Sequence, residues 1–283
     1  MLQRVYEQRT QYNNHVMLAN NWLWSTGKLI YYHMFAKVYS FCGSFAEVVM
    51  ANSTWTKGHI DQLWKAEADI VYPPCDTESL NELSLENRKP MIISVAQFRP
   101  EKDHPLQLKA LARLLEKYPK WKDVDGFELV LIGSSRNEED EQRIVDLRNQ
   151  CEQLNITDYV RFEINAPFEL LVSSLGQGKV GLHTMWNEHF GIVVVEYQAA
   201  GLIPVAHKSA GPKMDIVTEY DGKQTGFLAD DVESFADSLH TALSLSEEEY
   251  KLMASNARAS ASDRFSELAF GIELLRPLRK CLT

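Results

Sequence analysis

The chain has 283 residues, 45% of them apolar and 24% charged, with a net charge of −10. This is an ordinary globular composition of about one or two domains, which excludes collagen-like, low-complexity and intrinsically disordered classes. The acidic balance argues against wholesale nucleic-acid binding, so any phosphate site must rest on a local basic spot.

The opening "MLQRVYEQRT" reads as neither a signal nor a transit peptide. The four cysteines, Cys42, Cys75, Cys151 and Cys281, form no Cys-x-x-Cys pair. Their wide spacing predicts no disulfide framework and no zinc site, hence a reducing compartment. Residues 22–50 are unusually aromatic, but Lys28, His33 and Lys37 interrupt them. No run reaches the ~20 apolar residues that a bilayer span needs. Two readings stand for this segment. One is an interfacial helix with aromatics and lysines at the headgroup level. The other, which we prefer on sequence, is a core helix packed against another part of the protein.

From about residue 45 the pattern is regular. "EVVMANS" reads as a buried strand, and "STWTKGHIDQLW" as a helix opened by Ser/Thr caps. "ADIVYPP" is a strand stopped by Pro73 and Pro74, and "CDTESLNELSLENRK" a linker or loop. Strands "PMIISVAQF", "FELVLIGSS", "YVRFEI", "KVGLHT", "LIPVAH" and "TGFLA" then alternate with helices "HPLQLKALARLLEKY", "EEDEQRIVDLRNQCEQL", "PFELLVSSL", "FGIVVVEYQAAG" and a short "PKMDIV". Three further helical stretches close the chain. Short continuous apolar strands alternating with helices predict a parallel sheet covered on both faces. Such sheets bind ligands beyond the carboxyl ends of their strands.

Three loops at those ends carry the chemistry. After "MIISVAQ", Arg99 and Lys102 lie three residues apart and suit a diphosphate, as a planar fork and a mobile point charge. The alternative is a solvated loop paired with Glu101 and Asp103. After "LIPVAH" comes "KSAGPKMDI", where Gly211 permits close backbone approach and Pro212 suits a first helical position. Free N–H groups there suit an anionic or hydroxyl-rich ligand, although an ordinary strand–helix turn has the same pattern. After "KVGLHT" comes "MWNEHFGIVVVE". Glu188 falls in the loop, and Glu196 on the second turn of the next helix. Carboxylates accept from pairs of hydroxyls, so this spacing suits two sugars. A surface glutamate and a helix-face glutamate would look the same, but Glu196 sits in an apolar helix, where a buried carboxylate is costly. The acidic "DVD" at 123–125 lies at the wrong end of a strand, no histidine has metal-ligand spacing to a second cluster, and no nucleophile elbow is present. The extra glycines of "LGQGKVGLHT" have no local explanation.

Together these loops resemble the carboxyl-terminal domain of retaining GT-B glycosyltransferases, whose signature is a Glu-x7-Glu pair like Glu188 and Glu196. The resemblance implies that Glu188, with His189, Phe190 and Gly191 beside it, contacts the transferred sugar. It implies that Glu196 contacts the nucleotide ribose, that Arg99 and Lys102 hold the diphosphate, and that the turn Ser209, Ala210, Gly211, Pro212 closes over the donor. "VYPPCD", "QFRPEKDHPLQ", "GLHTMWNEHFGI" and "GPKMDIV" are more closely similar to the GDP-mannose-dependent α-1,2-mannosyltransferases of the dolichol pathway. That family implies GDP-mannose as donor, a dolichol-diphosphate-linked oligosaccharide as acceptor, and addition of the fourth and fifth mannoses. It also implies the cytosolic face of the endoplasmic reticulum, contact with the membrane surface, a complex with other mannosyltransferases of the pathway, and no metal or other cofactor. Ala210 departs from the family's second glycine. The expected architecture is α/β of GT-B type: residues 1–70 as the last part of an amino-terminal Rossmann-like, acceptor-side domain, and 71–283 as one complete doubly wound, Rossmann-like domain. Its last helices would pack back on the amino-terminal part. An amino-terminally truncated product is therefore expected. The rival readings are a UDP- or ADP-sugar transferase of the same fold, since no residue reads the base, and a catalytically incomplete nucleotide-sugar-binding fragment.

Overall fold

A computed structural model describes residues 22–279. The chain begins with helix α1 (Trp22–Gly43), strand β1 (Met50–Ala51), helix α2 (Thr54–Trp64) and strand β2 (Asp69–Ile70). Ser53 caps α2 as its sequence announces, its hydroxyl accepting from the Thr56 N–H at 3.1 Å. The two expected strands around α2 shrink to two residues each, because β1 finds a partner only in β2, in parallel register Met50↔Asp69 and Ala51↔Ile70.

The aromatic segment is a helix, covered on one side only among the described residues. Its Tyr39 packs on Trp64 of α2, ring centroids 5.2 Å apart, whereas Tyr31, Phe35 and Phe41 are more than half exposed. The cause lies in the sequence: α1 is apolar almost all round, and α2 covers one stripe of it. The stretch read as a linker is also more ordered than expected. Asp76 accepts from the Ser79 N–H at 3.1 Å and starts a short helix, α3 (Thr77–Asn81), whose Leu80 packs on the core.

The main sheet has six strands: β3 (Lys89–Val95), β4 (Glu128–Gly133), β5 (Val160–Ile164), β6 (Gly178–His183), β7 (Ile203–His207) and β8 (Phe227–Ala229). All pairs are parallel and the order is β5-β4-β3-β6-β7-β8. The crossovers are α4 (His104–Lys117), α5 (Glu138–Gln153), α6 (Phe168–Gln177) and α7 (Ile192–Ala200), with a single π turn (Pro212–Ile216) where "PKMDIV" promised a short helix. Helices α8 (Val232–Ser244), α9 (Glu247–Phe265) and α10 (Glu267–Leu278) follow.

Alternation along each strand divides the core between the two faces. Ile92, Leu129, Leu131, Val180 and Leu182 meet α4 and α8 on one side. Ile93, Val130 and Ile132 meet Tyr197 and Leu202 on the other. Gly181 belongs to that second face: a Cβ there would lie 2.3 Å from the Tyr197 ring. This explains one of the glycines of "LGQGKVGLHT" by close packing. The strand order reverses between β3 and β6, and ligands of open α/β sheets bind in the crevice that such a reversal opens. Tyr197, fully buried, spans that crevice from beneath: its hydroxyl accepts from the Val95 N–H at 2.7 Å and lies 3.4 Å from the Leu182 carbonyl.

Candidate functional site

The loops that leave β3 and β6 converge over the crevice. Beyond β3, buried Phe98 anchors the loop, and the Arg143 guanidinium donates to its carbonyl at 3.2 Å. A 3-10 turn over Pro100–Lys102 then turns Lys102 back toward the sheet. The two expected cations part company here. Arg99 lies 3.6 Å from Glu101, the solvated-loop alternative, while Lys102 donates across the crevice to Glu188 Oε2 at 2.8 Å.

Beyond β6, Thr184 stitches the two loops together. Its hydroxyl lies 2.9 Å from the Lys102 carbonyl and accepts from the Gln107 amide at 3.0 Å. His183, the last residue of β6, is buried, and its Nε2 stands 3.5 Å from Glu188 Oε2. The His189 N–H donates to the other carboxylate oxygen at 3.1 Å. Glu188 is thus gripped by Lys102, His183 and its own loop backbone. Burial alone would push its pKa up; His183 and Lys102 outweigh burial and hold it well below the usual carboxylate range. Since the folded value lies below the unfolded one, the stabilisation is present above the ordinary carboxylate range. It is lost only as the pH falls through the lowered value.

The loop after β7 is bound to the glutamate loop. The Asn187 N–H donates to Ser209 Oγ at 2.8 Å, and the Gly211 N–H to the Glu188 carbonyl at 3.0 Å. Gly211 is required by this approach, because a Cβ would lie 2.2 Å from the Phe190 carbonyl oxygen. Pro212 opens the π turn behind it. Gly191, at φ +100°, lets the chain enter α7. Phe190 points inward, its ring 5.7 Å from Tyr72 and 5.5 Å from Phe265, so it anchors the loop. His189 stacks on Trp55 at 4.9 Å. Ala210 takes φ +43°, where a Cβ is strained by about 1–2 kcal/mol. Ala210→Gly is therefore expected to raise the melting temperature slightly, and calorimetry giving an unchanged or lower value would show that the strain is absorbed elsewhere.

Glu196 sits on the fifth position of α7, partly buried, with no hydrogen bond or ion pair among the described residues. Burial raises its pKa. Burial, with the nearby Glu196 charge second, also pushes the Cys75 thiol up to about 12. Beside Lys102, the ends of β3, β4 and β5 enclose a cavity of about 400 Å³, to which Gln97, Ser134 and Asn165 bring polar groups. The arrangement can therefore offer hydroxyl acceptors, a lysine and backbone N–H groups to a polyhydroxylated anion, and a mostly apolar cavity with a few polar groups to a flat heterocycle. Sequence reasoning weighed His183 only as a metal ligand and set it aside, and it passed over Thr184, Gln107 and Tyr197. His183 carried one available signal, its place as the last residue of a strand at the functional edge of the sheet.

Residues 76–260 match the family model of glycosyl transferases group 1, and residues 1–64 match that of the ALG11 mannosyltransferase N-terminus. A mouse protein named GDP-Man:Man(3)GlcNAc(2)-PP-Dol alpha-1,2-mannosyltransferase is 46% identical over 100% of this chain and 58% of its own length. The human protein of that name is 46% identical over 99% of this chain and 58% of its own length. The Dictyostelium discoideum one is 45% identical over 99% and 56%. The chain thus spans a little over half the length of these relatives. Among solved structures, Anabaena Alr3699/HepE with UDP and glucose superposes with a TM-score of 0.69 at 20% identity, over 87% of this chain and 67% of that one. The alpha,alpha-trehalose 6-phosphate synthase of Burkholderia multivorans does so at 0.74 and 16%, over 90% and 63%.

Proposed function

The chain belongs to the glycosyl transferases of group 1 and has the GT-B type α/β fold, and from that premise we propose that it forms the donor half of a retaining, GDP-mannose-dependent α-1,2-mannosyltransferase. The whole protein would add the fourth and fifth mannoses to a dolichol-diphosphate-linked oligosaccharide. The observation that carries the reading is the cluster Lys102–Glu188–His183 at the strand-order reversal. It supports a site where a sugar is oriented and a leaving diphosphate is met by positive charge and backbone N–H groups. The names of the relatives support GDP-mannose and the dolichol-linked acceptor.

In this mechanism the anomeric bond to the diphosphate breaks through an oxocarbenium-like state while the acceptor's 2-hydroxyl bonds to the anomeric carbon from the same face and gives its proton to the departing diphosphate, so the configuration is kept. Negative charge grows on the leaving group. Lys102 has three donors, so it can serve Glu188 and a phosphate oxygen together. Arg99 turns from Glu101 to the outer phosphate. Glu188 orients mannose hydroxyls, and the turn Ser209–Pro212 closes the other side. No metal enters this scheme. The test is transfer by the complete protein. Labelled mannose from GDP-mannose appearing in α-1,2 linkage on the lipid-linked acceptor supports the reading, and transfer from UDP- or ADP-sugars alone rejects it.

Glu196 receives the ribose hydroxyls. Hydroxyl donors favour the charged carboxylate and draw its raised pKa down, so nucleotide binding releases a proton. Affinity is then expected to rise with pH across the titration of Glu196, and Glu196→Gln should flatten that dependence. A pH-independent wild-type affinity would take Glu196 out of the site.

A place at the cytosolic face of the endoplasmic reticulum is part of this proposal; the dolichol-linked acceptor in the relatives' names and the exposed aromatic face of α1 support contact with a membrane surface. No helix among the described residues is long and apolar enough to cross a membrane, so contact through α1 would be interfacial. Co-sedimentation with lipid vesicles that survives Phe35→Ser together with Phe41→Ser would reject it. Other mannosyltransferases of the pathway are the expected partners in the membrane, and co-purification tests that.

A further inference from the structure

The first turn of α2 lies against both donor loops. Asp215, in the π turn behind Gly211, is 1% exposed. Its carboxylate accepts from the Thr54 N–H at 3.2 and 3.1 Å, from the Thr54 hydroxyl, and from the Tyr72 hydroxyl at 3.0 Å. Thr54 is the first residue of α2. Asp215 therefore stands where a helix has unsatisfied N–H groups and the positive end of its dipole. A carboxylate so buried is costly unless it is paired, and these donors come from residues outside the six-stranded sheet.

The next residue makes the second contact. The Trp55 ring stacks on His189, centroids 4.9 Å apart and planes 25° from parallel. His189 in turn donates its N–H to Glu188 at 3.1 Å. One helical turn thus touches the glycine turn through Asp215 and the glutamate loop through His189, and those two loops are joined to each other by the Gly211–Glu188 hydrogen bond. An anchor serving α2 alone would need only the Asp215 pairing. Trp55 also packs edge-on against His59 within α2, centroids 4.2 Å apart, and its stack on His189 extends that contact to the loop beside Glu188.

We propose that Thr54, Trp55 and Asp215 are positioning residues for the donor site. The segment before β3 holds the Glu188 loop and the Ser209–Pro212 turn in register. The orientation of α2 therefore sets the geometry in which the nucleotide sugar is gripped. The functional half of this inference rests on the donor-site reading above.

Trp55→Ala, Trp55→Phe and Thr54→Val in the 283-residue chain test it by amide hydrogen exchange, thermal unfolding and GDP titration. Trp55→Ala is expected to quicken exchange of residues 186–191 and 208–212 by about tenfold or more with β3 and β4 unchanged, because loop openings are local events. Trp55→Phe should restore most of the protection. Thr54→Val, which keeps the N–H but loses the hydroxyl, should loosen 208–212 more than 186–191. GDP affinity should fall by about fivefold in Trp55→Ala and recover in Trp55→Phe, as expected for lost preorganisation. Unchanged exchange in both loops overturns the proposal. A uniform rise through the whole chain also overturns it, by making Trp55 a global packing residue. So does looser loops with undiminished affinity in a wild type that binds GDP. Exchange needs no ligand, so it decides the positioning claim by itself; a wild type that does not bind GDP counts against the donor-site reading instead.

Discussion

Glu188→Gln in the complete protein is expected to lower the rate of mannosyl transfer by about 10³-fold or more, while nucleotide affinity changes only a few-fold. At about 1.36 kcal/mol per tenfold, that is roughly 4 kcal/mol of transition-state stabilisation. The amide keeps the shape of the side chain and one acceptor oxygen, but it loses the charge that Lys102 and His183 are arranged around. A sugar ring approaching an oxocarbenium ion is favoured by a fixed anion and by rigidly oriented hydroxyls. The glutamine offers neither at full strength. On the proposed reading Glu196 and the β3 loop hold the nucleotide end of the donor, so nucleotide affinity is expected to change little. Loss of affinity with an unchanged turnover rate would move Glu188 from the reacting sugar to ground-state binding. The exchange also leaves Lys102 without its anionic partner. Both side chains keep about a fifth of their exposure, so the stability cost is expected below the roughly 3–5 kcal/mol of a fully buried broken pair.

Gly211→Ala should have the largest effect on the folded chain. The added methyl would lie 2.2 Å from the Phe190 carbonyl oxygen, 2.6 Å from the Phe190 Cα and 2.7 Å from the His189 carbonyl oxygen. These are backbone atoms of the neighbouring loop, with no flexible side-chain tip to swing aside. The two loops must separate, and the Gly211–Glu188 hydrogen bond goes with them. Overpacking of this kind costs about 1–3 kcal/mol, and a lost bond to a buried group about 1 more. A domain of this size shifts by about 2–4 °C per kcal/mol, so the melting temperature should fall by several degrees and nucleotide binding should weaken sharply. A variant that melts and binds like the wild type would show that the glycine turn moves freely, contrary to the stitched arrangement described.

The sequence marked most of the elements because their signals are local. Ser53 before α2 and the apolar runs of β3, β4 and β7 each announce themselves without reference to the rest of the chain. The loops that carry Lys102, Glu188 and Gly211 were legible as loops after strands. Their convergence was not. It depends on β3 and β6 being neighbours across 82 residues of intervening chain, from Val95 to Gly178, and no periodicity encodes that. For the same reason Lys102 looked like one of a matched pair with Arg99, whereas its partner is Glu188. His183 read as a histidine without a ligand set, because what makes it useful is the carboxylate folded back over it. The short helix α3 was missed since its polar sequence resembles a linker; its cap, Asp76, and its inward contacts, buried Thr77, Leu80 on the core and the Asn81 amide on Ser262, decide the matter only once α7 and α9 are in place. The aromatic α1 was expected in a core because burial usually follows composition. The described neighbours cover only one of its stripes.

The central claim is that these three loops form a donor-nucleotide site, and a calorimetric titration of the 283-residue chain with GDP, UDP and ADP, repeated on Glu196→Ala, tests it most directly. The account predicts selective binding of GDP, weakened by the substitution with the melting temperature little changed. Absence of binding by a folded chain, or equal binding of all three nucleotides unaffected by Glu196→Ala, would contradict it.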